Sequence, residues 1–318
     1  QIRSTRVVND KGLDVKASTS RVKGVITISY NDGEKVMDSF YYMDGNSPDS
    51  LNIKEKLEAG IQYVTSYATG IVPQSGNYKA LFRGETFSYL LMVTALFFAK
   101  DYVDSNSSRF SGKLGKKVAS DIVTIVDNPR LPGGLFSVPF DSQGVPTKKR
   151  NLITSGILTD FLCDLETAEG DKGLLPGCST RSRMNLPMAA SNTNMYIEPG
   201  SFTRDELLEK LENGIFVTEV QDYFHRHGTD PATGDFSIPA KGFLVKDGKI
   251  SEAAINFSIA GNLYDILRKV DALGNSLDGG LPNCLIPGMP MRVGGYKSPD
   301  VFVNNLTIHG KQVDETCC

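Results

Sequence analysis

Histidine, cysteine and paired carboxylates are the groups that hold metals or move protons, and they are thinly spread over these 318 residues. The histidines are His225, His227 and His309. His225 and His227 lie two apart, so on a strand both imidazoles would share a face and reach one ion. The residues that follow, Gly228-Thr229-Asp230-Pro231, are turn-forming, and two nitrogens without an evident third ligand fall short of a zinc site. A solvated polar loop is the plainer description. The cysteines, Cys163, Cys178, Cys284, Cys317 and Cys318, are odd in number and scattered, which argues against a disulfide framework and for a reducing compartment. Cys284, in Leu281-Pro282-Asn283-Cys284, reads as a buried small side chain, and Cys317-Cys318 as an inert frayed end. Glu166, Glu169 and Asp171 are neighbours in sequence only, and suit a solvated face better than a glycosidase pair. The chain has no P-loop, no dinucleotide fingerprint after a strand, no G-x-S-x-G elbow and no H-E-x-x-H.

Composition narrows the classes further. Lys plus Arg at 34 against Asp plus Glu at 37 gives a formal charge of −3, too balanced for the basic field that nucleic acid requires. Hydrophobic residues at 40% and charged residues at 22% are those of a globular, soluble chain. The longest apolar run, Tyr89 to Ala99, is broken by Thr94 and falls short of the roughly 20 residues that cross a bilayer. No membrane partner is expected, and the cytoplasm is the expected location. Gln1 stands where Met would begin a chain, as after trimming.

The elements that must position any site follow from periodicity. Val22, Val25, Ile26 and Ile28 form a β-branched run ending at Asn31-Asp32-Gly33, a strand and then a turn. Leu57, Ile61, Val64 and Ala68 predict an amphipathic helix within 50–68, stopped by Gly70. The breaker-rich link 71–76 divides the chain near Pro73, into a small segment 1–72 and a larger body 73–318. Hairpins are predicted about Ser155-Gly156 and Asp247-Gly248. Thr203 and Glu206 form a capping box ahead of Leu207, Leu208 and Leu211. A further helix is predicted from Asn262 to Gly274, with Leu263, Ile266, Leu267, Val270 and Leu273 inward. These are not regular strand-helix-strand units. The fold class is α+β, with mixed, largely antiparallel sheets, hairpins and packed helices.

Four turn-rich segments carry more than ordinary loops need: Gly112-Lys113-Leu114-Gly115, the stretch from Pro139 to Thr147, Tyr196-Ile197-Glu198-Pro199-Gly200, and Thr233-Gly234-Asp235-Phe236-Ser237. They are joined by Asn9-Asp10-Lys11-Gly12-Leu13-Asp14, Val126-Asp127-Asn128-Pro129, Ile259-Ala260-Gly261-Asn262-Leu263 and Gly274-Asn275-Ser276-Leu277. In this order and at this spacing, over nearly the whole chain, they resemble the TldD/PmbA family. The resemblance implies a two-part assembly. A TldD-like subunit holds zinc on an HExxxH helix completed by a later cysteine and cleaves extended or unfolded peptides, and its PmbA partner, also called TldE, shares the fold without that metal site. Here the corresponding helix is Gly84-Glu85-Thr86-Phe87-Ser88-Tyr89-Leu90-Leu91, which has a glutamate and no histidine. Cys284 falls where the later cysteine would lie. The chain is thus similar to the PmbA (TldE) type. The family's further N-terminal region, which precedes the Asn9 segment, is missing, through trimming or in a short variant.

The expected function is that of a non-metal-binding subunit of a TldD/TldE-type peptidase, supplying chamber walls and a partner surface. No cofactor is expected in this chain, since zinc would belong to a TldD-like partner. A homodimer is expected when the chain is alone, partly because its hairpins offer strand edges that proteins pair or cover. Arg183, Asn192 and Asp235 are the expected peptide contacts, with no catalytic residue. The competing readings are a stand-alone peptide-binding or scaffold protein and a hydrolase using metal at His225 and His227.

Overall fold

The computed structural model describes residues 2–310, except 34, 170, 172, 182–186, 221–229, 231 and 280–293. Arg183, His225, His227, Cys284, Cys317 and Cys318 therefore lie outside the described residues.

The described part of residues 2–72 forms two hairpins, each a separate two-stranded sheet, and a helix. Strands β1 (Ile2–Val8) and β2 (Asp14–Ser20) pair antiparallel, as do β3 (Val22–Asn31) and β4 (Val36–Gly45). Helix α1 (Ile53–Tyr67) lies on the inner face of β3–β4. Its Gly60 is pressed so close that a Cβ there would meet Ile28 Cδ1 at 2.3 Å and Tyr41 Cε2 at 2.6 Å. Val64 and Tyr67 are buried, whereas Leu57 and Ile61 are 39% and 49% exposed. The inner face of α1 is thus Gly60–Val64–Tyr67, rotated from the one that the apolar spacing alone predicts.

The body begins with β5 (Gly76–Phe82), followed by α2 (Gly84–Thr94), a 3-10 turn at Ala95–Phe98 and the short α3 (Lys100–Asp104). Strands β6 (Ile125–Asp127), β7 (Arg150–Thr154) and β8 (Ile157–Leu158) come next, then α4 (Leu165–Ala168). β9 (Ser179–Thr180) and β10 (Ala189–Ala190) make a small pair, and β11 (Asn194–Ile197) is buried on both faces. Helix α5 (Arg204–Leu211) starts on the predicted capping box, in which the Glu206 amide donates to the Thr203 hydroxyl and the Thr203 amide to the Glu206 carboxylate. Strands β12 (Gly214–Val220), β13 (Asp235–Lys246) and β14 (Lys249–Asn262) follow. Helix α6 (Leu263–Lys269) leads into β15 (Val270–Leu273), and β16 (Asp278–Gly279), β17 (Gly295–Ser298) and β18 (Val301–Gly310) complete the body.

The helix predicted to run to Gly274 stops at Lys269. Val270 and Ala272 are buried with Asp271 outward between them, and this stretch pairs with Val301–Val303 of β18. Sheet pairing overrides a spacing that also fits a helix. The two hairpin turns stand as read: Ser155 and Gly156 have φ of 47° and 78°, and Asp247 and Gly248 have 49° and 73°.

Two six-stranded sheets organise the body. One has the order β16-β17-β11-β6-β7-β8. The other, β14-β13-β12-β5-β18-β15, also pairs β14 with β18, which closes five of its strands into a ring. Among the described strand pairs, β5–β12 and β11–β17 are the parallel ones. At the seam, the Gly310 amide donates to Ser75 Oγ at 3.1 Å, so the last described strand ends beside the start of the first body strand. The strand edges on which a dimer was argued from the sequence are covered within the chain. Ile71 bonds both Ala253 and Ile255 along β14, and residues 115–117 cover Ile157 and Leu158. The core between the sheets holds α2 and the rings of Phe97, Phe110 and Tyr264.

Candidate functional site

Helix α2 is the element that the sequence points to, and its construction is unusual. Beyond its first two residues it reads Thr-Phe-Ser-Tyr-Leu-Leu-Met-Val-Thr and is almost entirely buried, apolar on every side as befits a helix inside a core. Its few hydroxyls are spent on backbone: Thr86 donates to the Thr218 carbonyl, Ser88 to Glu85 and Thr94 to Leu91. The start of the helix is gripped from several directions. The Gly84 amide donates to Asp300 Oδ1 at 2.8 Å, and a Cβ on Gly84 would lie 2.4 Å from the Ser298 carbonyl. Asp300 is in turn held by Arg204 of α5 through two bonds, Nε to Oδ2 at 2.6 Å and Nη2 to Oδ1 at 3.1 Å.

Glu85 faces the other way. It pairs with Arg83 at 3.0 Å and with Lys56 of α1, which ties the site helix to the N-terminal segment. Burial pushes the Glu85 carboxyl up, yet the charges of Arg83 and Lys56 outweigh it and hold the group below its ordinary value. Asp278, 3.4 Å from Arg204, is raised by burial and then by the neighbouring charges of Asp300 and Glu85. Lys56, Glu85, Asp278 and Lys297 line a cavity of about 160 Å³ whose floor includes Gly279, Gly295 and Tyr296. Such a pocket offers charges of both signs and backbone groups left accessible by glycine.

This donor set does not fit a zinc ion. α2 contributes no imidazole or thiolate, its one carboxylate is committed to two cations, and among the described residues no group of three His, Cys, Asp or Glu side chains comes together to hold a metal. The buried thiols Cys163 and Cys178 are pushed up by burial, Cys163 to about 12, which disfavours the thiolate that binds metal.

The expected substrate contacts are separated. Asn192 is buried in the wall of a second cavity, its Oδ1 accepting from the Tyr296 hydroxyl at 2.9 Å and its Nδ2 donating to the Gly295 carbonyl at 3.4 Å. Asp235 is exposed at the start of β13, where its carboxylate accepts from Asn262 Nδ2 at 2.7 Å. That bond, and one with Thr233, hold its carboxyl below the ordinary value. Asn192 lies in the link between β10 and β11 and Asp235 at the start of β13 in the other six-stranded sheet, and the two are not brought together. What sequence reasoning missed is the ion set Lys56–Glu85–Arg83 with Arg204–Asp300. Its members are up to 244 positions apart in numbering, from Lys56 to Asp300, and no local pattern marks them.

Residues 75–310 match the family described as "PmbA/TldA metallopeptidase C-terminal domain". A curated relative, "Metalloprotease" of Methanothermobacter thermautotrophicus, is 32% identical over 212 residues, covering 66% of this chain and 45% of the relative. "Metalloprotease PmbA" of Escherichia coli O157:H7 is 34% identical over 165 residues, covering 52% and 34%. The matches thus span less than half the length of these relatives. Among solved structures, a putative modulator of a DNA gyrase from Thermotoga maritima superposes with a TM-score of 0.85 at 27% identity, covering 97% of this chain and 67% of that one. TldE from Thermococcus kodakarensis superposes at 0.84 and 23% identity, with the same coverage, and shows the shared fold. With a family match over most of its length, and a fold common to these structures, the chain belongs to the PmbA/TldD metallopeptidase family.

Proposed function

We propose that this chain is the non-metal-binding, TldE-like subunit of a TldD/TldE-type metallopeptidase that processes extended or unfolded peptides. It supplies chamber walls and the partner surface, and zinc chemistry resides in a TldD-like partner. The observation that supports this reading is the start of α2. Where a catalytic helix would present ligands, Glu85 is neutralised by Arg83 and Lys56, and the following turns are buried apolar side chains. Activation of water by metal needs an ion with an open position, and this helix gives an ion no purchase.

The test is co-expression with a TldD-like protein. The two chains are expected to co-purify and to cleave unstructured peptides together, while this chain alone forms a homodimer, holds no stoichiometric zinc and cleaves nothing. The interface should exceed the roughly 1,000 Å² that separates biological from packing contacts. A strictly monomeric chain that ignores a TldD-like protein supports the stand-alone scaffold instead. Tightly held zinc lost on His225→Ala supports the hydrolase. Arg183, Asn192 and Asp235 are the residues to test for peptide contact on this reading. If Arg183→Ala and Asp235→Ala leave folding and partner-dependent peptidolysis unchanged, they are removed from the site.

A further inference from the structure

The connection from α3 to β6 is sewn to α6 at two points. The Arg109 amide donates to the Tyr264 hydroxyl at 3.0 Å, and the Ser120 amide donates to the Leu267 carbonyl at 2.9 Å. Between these anchors the chain makes a tight tip, in which the Lys113 amide donates to the Phe110 carbonyl and the Lys116 amide to the Lys113 carbonyl. Gly112 and Gly115, at φ of 66° and 76°, supply the left-handed conformations that the tip needs. The tip is tied in turn to β8, since the Gly115 amide donates to the Leu158 carbonyl and the Leu158 amide to the Lys116 carbonyl.

This scaffold gathers four cations, Arg109, Lys113 and Lys116 from the connection and Arg268 from α6. Lys113 is half-buried and the other three are exposed. Arg109 is held in place, its guanidinium 5.5 Å from the centre of the Tyr264 ring and its Nη1 donating to Asn262 Oδ1 at 3.2 Å. Burial and then the charges of Arg268, Arg109 and Lys116 lower the Lys113 ammonium, and no carboxylate among the described residues raises it. The acids of the neighbourhood are engaged elsewhere. Asp121 pairs with Lys117 at 2.8 Å, and Asp265 lines a hollow with Lys269 and Asn305. Asp235, on which Arg109 also acts, accepts from Asn262 Nδ2 at 2.7 Å. Among the described residues, none of the four cations is ion-paired.

We propose that this patch is a docking surface for a short acidic run of an extended peptide. The like charges repel one another until an anion settles among them, so an acidic ligand relieves a cost that the fold itself carries. Two observations separate a peptide from a nucleic acid. Setting the four aside leaves 30 lysines and arginines against 37 carboxylates, so a long polyanion is repelled beyond the patch. The aromatic ring of the patch, Tyr264, is buried, stacked at 3.9 Å on Phe97 and covered by Arg109, and offers no face to a base. Leu114, an exposed apolar side chain at the tip, is too little by itself to anchor a bilayer. That the partner is a peptide rests on the peptide-handling function above, but the inference concerns binding by this chain alone. Failure to pair with a TldD-like protein would leave it standing, and its own failure would leave the pairing standing.

Fluorescence anisotropy on the full chain tests it, with one labelled, unstructured peptide carrying four consecutive glutamates and its counterpart carrying four glutamines. At low salt the acidic form is expected to bind at least ~10-fold more tightly, and to lose most of that advantage when salt is raised from about 0.02 to about 0.3 M. Lys116→Gln and Arg268→Gln should each cut the advantage by about 3-fold and together remove it, whereas the control Lys54→Gln, on α1, should leave it whole. Lys116 and Arg268 are exposed, so their variants decide the matter if Arg109→Gln, which loses the contact with Tyr264, does not fold. Equal binding of the glutamate and glutamine forms, or an advantage unchanged in the double variant, would overturn the proposal. So would tighter binding of a single-stranded oligonucleotide, or of phosphatidylserine vesicles, than of the acidic peptide.

Discussion

Glu219 and Lys241 face each other across β12 and β13 at 3.9 Å, yet each spends its shorter bond on the β3–β4 hairpin. Lys241 Nζ donates to the Asp38 carbonyl at 2.7 Å, and Glu219 Oε1 accepts from Ser39 Oγ at 2.7 Å. Burial drives both toward neutrality, raising the Glu219 carboxyl and lowering the Lys241 ammonium. The pair thus works as a two-pronged clamp holding the N-terminal segment on the ring of strands.

Breaking one prong should therefore cost more than a surface ion pair would. Glu219→Ala leaves Lys241 buried without its counter-charge, and a loss of about 3 kcal/mol is expected. Glu219→Gln keeps the acceptor for Ser39 and should cost less. Denaturant unfolding gives the energies, and hydrogen exchange should show faster opening of residues 36–45 in the alanine variant. Equal exchange in both would mean that the hairpin is held by apolar packing alone.

A similar logic applies to α2. Glu85→Ala strands Arg83 and Lys56 beside each other, so a destabilisation of about 2–4 kcal/mol is expected. In the double variant Glu85→Ala with Lys56→Met, part of it should return, because Lys56→Met removes one of the two stranded cations while Arg83 remains. Thermal unfolding of the single and double variants would check this, and strict additivity would show that the pair is not coupled.

Gly84→Ala is expected to be among the most damaging of small substitutions. The new methyl would meet the Ser298 carbonyl, which is backbone and cannot swing aside. The helix start would have to separate from β17, at a cost of about 1–3 kcal/mol. Circular dichroism melts would measure the shift, and an unchanged midpoint would refute the tight approach.

Asp127 supplies a pH test. It is fully buried, and burial raises its carboxyl to about 6, against the bonds donated by the Thr193 amide and hydroxyl and the attraction of Arg150. Because the folded value lies above the unfolded one, the folded state binds the proton more tightly. This group's stabilisation is full below about 4 and is lost as pH rises to about 6. Asp127→Asn keeps an acceptor for Thr193 and removes the charge. Its stability should lose that slope between pH 4 and 6 and match or exceed the parent at pH 8. A variant that is less stable at pH 8 than at pH 5, by the same margin as the parent, would assign the slope elsewhere.

Local chemistry was legible in the sequence where one short stretch contains the whole reason for a conformation. Asp247-Gly248 and Ser155-Gly156 must take positive φ, and Thr203 with Glu206 cap one helix between them. The strand β15 was not legible, because Val270 satisfies a helical period and a two-residue period alike, and its β18 partner lies some thirty residues on. The face of α1 was misjudged for a related reason. Leu57 and Ile61 fit the apolar stripe, but Gly60 is the residue that permits close approach to Tyr41. At the site, Glu85 was visible as the lone acid of an apolar helix. Its partners were not, since Lys56 and Arg83 become neighbours of one carboxylate only after α1 has docked.

The seam at Ser75 and Gly310 gives the body an unusual relation to whatever adjoins it. The chain enters and leaves through a single doorway, so residues 75–310 hang from that point like a closed loop and could be grafted into another fold without stretching either connection. It is also the mechanical weak point. β5 and β18 are antiparallel and begin and end together there, so a pull on the two connections peels them apart one pair at a time instead of shearing every bond at once.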